Sequence, residues 1–197
     1  IDWKMIAIID YGAGNLKSVK NALDYLNVDS IITDKPEDII KSDRLILPGD
    51  GSFGYMMENL EKKGLVNPIK NFIKSKKPFL GICLGLQGLF EESEESPNVK
   101  GLSIFKGKVV KFRKGKVPQI GWNKIFSKQK DIFKEDFMYF VNSYYVIPED
   151  DSIIATITNY NGNFVSAVQS NNVTAMQFHP EKSGKAGIEL IKRWLKC

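Results

Sequence analysis

Short apolar runs, glycine-bearing turns and helix-spaced apolar positions follow one another through the first half of the chain. Met5 to Asp10 is one such run. It ends in Asp10-Tyr11-Gly12-Ala13-Gly14-Asn15, after which Leu16, Val19, Leu23 and Leu26 recur at helical spacing, so strand, turn and helix are predicted in that order. Ser30 to Thr33 reads as a second strand, and Pro36 to Ile40 as a helical turn with proline at its first position. Arg44 to Leu47 is a third buried strand, stopped by Pro48-Gly49-Asp50-Gly51. Met56, Leu60, Leu65, Ile69, Phe72 and Ile73 then supply helical apolar positions up to Lys76. Pro78 to Ile82 reads as a fourth strand, with a helix expected over Leu84 to Glu92. Alternation of this kind predicts an α/β fold with a mainly parallel central sheet and helices on both faces. Groups that do chemistry in such sheets gather at the carboxyl ends of the strands, where the turns at 12–14, 49–51 and 81–85 fall.

The texture changes after Pro97. Ile104 to Phe112, Phe137 to Ile147, Ile153 to Tyr160, Phe164 to Ser170 and Val173 to Phe178 are β-branched or aromatic runs. Short turns such as Asn161-Gly162-Asn163 separate them, which predicts a mixed or antiparallel β-rich C-terminal half. A helix from about Lys185 to Lys196, with Ile188, Ile191, Trp194 and Leu195 on one face, closes the chain. The expectation is a single domain over residues 1–197, in which residues 1–4 precede the first strand and are left out of the functional argument.

Composition narrows the partners. With 197 residues, 43% hydrophobic and 26% charged, the chain is long enough to bury a substantial core. The net charge of +5 is spread along the sequence, and the basic residues of Lys106 to Lys116 alternate with apolar ones, as on the exposed faces of strands. Nucleic-acid binding would call for a denser stripe or a stacking platform, so none is expected. No apolar run has the length of a membrane span and no signal peptide is visible. The two cysteines, Cys83 and Cys197, are a poor structural pair because the second is the last residue; a reducing, cytoplasmic setting is expected. One histidine and two distant cysteines offer no metal-ligand cluster, and no cofactor is expected.

Candidate chemistry centres on Gly81-Ile82-Cys83-Leu84-Gly85-Leu86-Gln87. A cysteine between glycines at a strand-to-helix junction has the form of a nucleophile elbow, where small neighbours allow a strained backbone. The helix start beneath the sulfur would favour thiolate. The competing reading is a small buried hydrophobe in an ordinary turn. His179, the only histidine, lies in Phe178-His179-Pro180-Glu181-Lys182. A nucleophilic cysteine needs a base, and His179 is the one imidazole available. Pro180 favours an extended neighbourhood, in which residues two apart project together, so Glu181 can accept the second imidazole N–H. Taken singly, His179 reads equally as an inert buried histidine and Glu181 as a surface carboxylate; together with the elbow they form a Cys83-His179-Glu181 set. Oxyanion donors are expected from the Leu84 N–H and from the turn Gly49-Asp50-Gly51.

These motifs resemble the class I glutamine amidotransferases, the triad glutaminases, in which an elbow cysteine precedes a β-rich insert and a His-X-Glu segment. Further segments are similar to the glutaminase subunits of imidazole glycerol phosphate synthases: Ile9-Asp10-Tyr11-Gly12-Ala13-Gly14-Asn15-Leu16, Leu47-Pro48-Gly49, Phe90-Glu91-Glu92-Ser93-Glu94-Glu95, Gly121-Trp122-Asn123 and Phe140-Val141-Asn142-Ser143-Tyr144. The resemblance implies a flavodoxin-like glutaminase fold. It implies that Cys83 attacks the glutamine carboxamide, that His179 moves protons and that Glu181 orients it. Gln87, Glu95 and Ser143 would hold the glutamine. Asn15, Trp122 and Lys182 would face a separate (β/α)8-barrel cyclase, in a heterodimer that uses the ammonia in histidine biosynthesis. Free ammonia would be lost to bulk water, so a docked partner and weak activity in isolation are expected.

Departures from the pattern leave alternatives open. Asp50 stands where the family usually has an apolar residue, and Gln119 and Asn142 replace frequent histidines. Gly88 puts a weak helix former just inside the elbow helix. A paralogue supplying ammonia to another acceptor, such as a nucleotide-sugar amidotransferase, is one alternative. A catalytically silent partner-binding module is another. A stand-alone cysteine hydrolase or deglycase would commonly place histidine directly after the nucleophile, where this chain has Leu84.

Overall fold

The computed structural model describes residues 5–13, 15–129 and 131–197, so residues 1–4, and Gly14 of the first predicted turn, lie outside the described residues. The first half runs β1 (Ile6–Ile9), α1 (Leu16–Tyr25), β2 (Ser30–Thr33), α2 (Pro36–Lys41), β3 (Arg44–Leu47), α3 (Phe53–Lys62), α4 (Val66–Lys74), β4 (Phe79–Ile82) and α5 (Leu84–Gln87). Then come β5 (Glu92–Ser93), β6 (Gly107–Lys111), β7 (Gln119–Ser127), β8 (Asp136–Asn142), β9 (Tyr144–Pro148), β10 (Ile154–Asn159), β11 (Asn163–Ser170), β12 (Val173–Met176) and α6 (Gly184–Trp194).

The central path is β2-β1-β3-β4-β12-β11-β10-β7-β8. From β2 to β12 the pairings are parallel; beyond β12 they are antiparallel, and β9 and β6 branch off β11. Side chains of a strand alternate between faces, and β1 shows the consequence. Ala7 and Ile9 join the core built with Ile39, Phe53, Met56, Leu60, Ile69 and Phe72 of α2–α4, whereas Ile6 and Ile8 join the core with Val19, Leu23, Leu190, Ile191 and Trp194 of α1 and α6. Helices therefore cover both faces, as the apolar pattern predicts. The register Ala175↔Gly81 and Met176↔Ile82 sets β12 beside β4, so the segments that leave these two strands emerge side by side at one end of the sheet.

Several sequence expectations are corrected. The helix after the elbow ends at Gln87: Gly88 caps it, and Leu89 and Phe90 turn inward to full burial. A Cβ at Gly88 would lie 2.4 Å from the Met56 methyl, so close packing against α3 takes that position. The helical stretch from Met56 to Lys76 is two helices, broken where Gly64 takes a positive φ of 67°. Phe137 to Ile147 is two strands that part at Ser143, one paired with β7 and the other with β6 and β11. Strand β7 escapes the sequence pattern because its exposed face is apolar: Ile120, Trp122 and Phe126 point to solvent. Pro180–Lys182 forms a 3-10 turn rather than extended chain, closed by Lys182 N–H on the His179 carbonyl at 3.1 Å.

Candidate active site

Cys83 sits between β4 and α5 with φ 54° and ψ −109°. A non-glycine residue held there stores on the order of 1–3 kcal/mol of strain, which persists only where the surroundings over-determine it. They do so here. The Cys83 N–H donates to Met176 O at 2.7 Å, tying the elbow to β12. On the other side the chain after β3 is jammed against the start of α5: a Cβ on Gly49 would lie 2.3 Å from Leu84 Cβ, and one on Gly85 would lie 2.0 Å from Leu47 O. Only glycine permits either approach.

His179 leaves the end of β12 and reaches the same cleft. Its N–H donates to Tyr139 O at 2.9 Å; Ser183, 1% exposed, donates through Oγ to His179 O at 2.6 Å and accepts from Tyr139 N–H at 2.9 Å. The imidazole is thus fixed to β8 through its main chain. Nδ1 meets Glu181 Oε1 at 2.8 Å, with both side chains almost wholly buried, and His179 lines the same cleft as Cys83. Burial alone would pull the imidazole towards neutrality, but the thiolate charge of Cys83 and the carboxylate of Glu181 outweigh it and hold the group up at about 10. The expected pairing of His179 with Glu181 is present, but the 3-10 turn builds it rather than an extended chain around Pro180.

A cleft of about 260 Å³ opens beside the sulfur, lined by Gly49, Asp50, Gly51, Cys83, Leu84, Gln87, Glu95, Ser143, His179 and Lys182 among others. The glutamine-binding candidates Gln87, Glu95 and Ser143 all lie on its wall. Two of them carry structural bonds as well: Gln87 Nε2 donates to Tyr144 O at 3.2 Å, and Glu95 Oε2 accepts from Phe53 N–H at 2.7 Å, a carboxylate at the N-terminus of α3. The oxyanion candidates divide. No acceptor takes the Leu84 N–H among the described residues. Asp50 N–H, however, donates to the Tyr11 hydroxyl at 2.9 Å, the same hydroxyl donates to Asp50 O at 2.8 Å, and Gly51 N–H is held by Asp50 Oδ1 at 2.9 Å. Burial pushes the Tyr11 phenol well above its ordinary range, which keeps it protonated and able to donate.

Of the partner-facing candidates, Lys182 lines the cleft, Asn15 is exposed and caps α1 by accepting from Ser18 N–H at 3.3 Å, and Trp122 is 56% exposed on β7 against Tyr139. Gln119 and Asn142, the two replaced histidines, are register partners across β7 and β8, so the two departures form one local feature. Sequence reasoning misses Tyr11, Gln177 and Ser183. Gln177 and Ser183 are polar residues buried beside His179, and a polar position interrupting an apolar run is the signal that marks Gln177. Among the described residues no cluster of His, Cys, Asp and Glu would hold a metal ion, and no helix is long and apolar enough to cross a membrane.

The family model for class-I glutamine amidotransferases matches residues 7–196. The chain belongs to that family, whose members are enzymes that hydrolyse glutamine. It is 47% identical over 194 residues to the imidazole glycerol phosphate synthase subunit HisH of Aquifex aeolicus, covering 95% of this chain and 94% of that protein. It is also 47% identical over 199 residues to the HisH subunit of Pyrococcus furiosus, covering 96% and 97%. A solved glutamine amidotransferase shares the fold at TM-score 0.80 and 16% identity, over 97% of each chain.

Proposed function

We propose that this chain is a HisH-type glutaminase: one cytoplasmic domain that releases ammonia from L-glutamine and passes it to a docked cyclase subunit of (β/α)8-barrel form, which makes imidazole glycerol phosphate and aminoimidazole carboxamide ribotide in histidine biosynthesis. The thiolate of Cys83 attacks the carboxamide carbon. The C–S bond forms as the carbonyl electrons move onto oxygen, and the Leu84 N–H donates to that oxyanion. His179, as imidazolium, gives its proton to the departing nitrogen; the C–N bond breaks, and ammonia leaves a glutamyl thioester. Neutral His179 then takes a proton from water, the hydroxide adds to the thioester carbon, and Cys83 departs as thiolate with glutamate formed. Glu181 keeps the imidazole in the tautomer that presents Nε2 to the sulfur and stabilises its charged form.

The observation that supports this reading is the His179–Glu181 pair, held at 2.8 Å, set beside Cys83 in a single cleft. With the Asp50 N–H turned onto Tyr11, the oxyanion hole has one donor where two are wanted. Docking of the partner near Asn15, Trp122 and Lys182 would supply the second by releasing the turn. Gln119 and Asn142 pair across β7–β8 and Asn142 also lines the cleft, so these departures bear on the glutamine pocket and give no specific support to a different ammonia acceptor. The test is Cys83→Ala in the assembled complex: glutamate release falls to background while partner binding persists. Undiminished release by that variant would sink the nucleophile assignment.

A further inference from the structure

A run of amide contacts that the triad does not include also reaches the sulfur. Gln177 follows β12 directly and is fully buried. Gln87 Nε2 donates to Tyr144 O at 3.2 Å and to Gln177 Oε1 at 3.0 Å, and Gln177 Nε2 donates in turn to Cys83 Sγ at 3.5 Å. Chemistry fixes the direction of this relay. A main-chain carbonyl only accepts, so Gln87 must present its NH2 group to Tyr144, and that same group then requires an acceptor on Gln177. Turning the Gln177 amide round would set two NH2 groups against each other and a carbonyl oxygen against the sulfur. A primary amide buried as deeply as that of Gln177 costs free energy unless both ends are paired, and this arrangement pairs both its ends in one orientation only.

We propose that Gln177 is a donor to the reacting sulfur, its Nε2–H holding Cys83 as an anion aimed into the cleft, and that Gln87 is a positioning residue that orients the Gln177 amide. The proposal rests on the reading of Cys83 as the nucleophile. Gln177 donates to the sulfur from the residue after β12, and the sulfur also lies 3.8 Å from the Val141 carbonyl, so the strained backbone and the Gln177 amide together set where the sulfur points. A donor on a thiolate weakens its intrinsic nucleophilicity, but by less than it raises the anionic fraction, and it makes the sulfur a better leaving group when water opens the thioester. Gln177 thereby serves both halves of the reaction. The titratable groups facing the same cleft are His179 and Lys182 after β12, Asp50 after β3, Glu95 after β5 and Tyr144 at the start of β9, with Tyr11 after β1 buried behind Asp50; the variants below leave all of them in place.

The test uses the full chain carrying Cys197→Ser, because Cys197 is the second free thiol and is exposed. Alkylation of Cys83 by iodoacetamide is followed against pH without glutamine, so that any substrate contact of Gln87 plays no part. In Gln177→Leu the profile moves to higher pH by about one unit, and kcat for glutamine hydrolysis falls about tenfold at neutral pH with KM little changed. Gln177→Glu, of nearly the same size but able to place a carboxylate against the sulfur, moves the profile further. Gln87→Leu moves it the same way by less. If Gln177→Leu does not fold, the other two variants decide between a donor and a spectator. Alkylation profiles that coincide with the parent in folded variants, or a loss confined to KM, would overturn the proposal. Hydrolysis surviving in Cys83→Ala would overturn the nucleophile reading instead, and the two failures are read from different experiments.

Discussion

The two turns that flank the cleft are built in opposite ways. The elbow at Cys83 is closed: its backbone is forced to φ 54°, its N–H is bound to β12, and Gly49 and Gly85 pack against their neighbours with no room for a methyl group. The turn at Asp50 and Gly51 is exposed, open space surrounds Gly51, and its N–H groups are committed to Tyr11 and to the Asp50 side chain. One turn holds its sulfur in place at a cost in strain. The other holds its N–H groups in a few hydrogen bonds. On the proposed function, the nucleophile is organised in the free chain and the oxyanion site is left for the partner to complete.

The largest effect is expected from breaking the closed side. Gly85→Ala drives a methyl group into Leu47 O and must displace either β3 or α5; overpacking of this kind costs about 1–3 kcal/mol. Melting temperature should fall by several degrees, and glutamine hydrolysis with partner present should fall by about 10²-fold, the scale of a misplaced nucleophile. A variant with parental activity would show that the packing does not position the sulfur.

Loosening the open side should do the reverse. Tyr11→Phe removes both hydrogen bonds that hold the Asp50 peptide, and partner-free glutamate release should rise about tenfold, the scale of one or two net hydrogen bonds. Unchanged partner-free release would mean that Tyr11 is not the restraint. The smallest effect concerns pH. His179 is held up at about 10 against an ordinary value of 6.5, so the charged imidazole contributes stability that is fully present below pH 6.5 and is lost as pH rises through 10. Melting temperature measured between those limits should decline with pH, and the decline should shrink in Cys83→Ala and, by less, in Glu181→Gln, in the order of their hold on the charged imidazole.

The closed side is legible in the sequence, and of the open side only the turn itself is, not what restrains it. Glycines around Cys83, an apolar strand before it and a lone histidine followed two residues later by a carboxylate are local patterns with local causes. The parallel alternation of the first half is equally plain, because its short apolar runs and helix-spaced positions alternate without interruption. What escapes is decided by contacts across the fold. Nothing near Asp50 announces that a tyrosine from the end of β1 will hold its peptide, and nothing near Gln87 announces Gln177, ninety residues away in sequence. The short elbow helix and the break at Gly64 follow from packing against α3 and from a positive φ, which override helical spacing. Strand β7 is hidden because an apolar face turned to solvent inverts the usual pattern, and that same face bears Trp122, where a partner is proposed to dock.

The difference between the two turns is most directly tested by comparing two rates on one protein. Iodoacetamide alkylation of Cys83 needs only the sulfur, whereas glutamine hydrolysis needs sulfur and oxyanion hole together. On adding the proposed cyclase partner with its ligand, alkylation should change by less than about threefold, and glutamate release should rise by about 10²–10³-fold, the worth of one oxyanion donor. A rise in both rates together would place the control at Cys83 and contradict the account, as would glutamate release that ignores the partner.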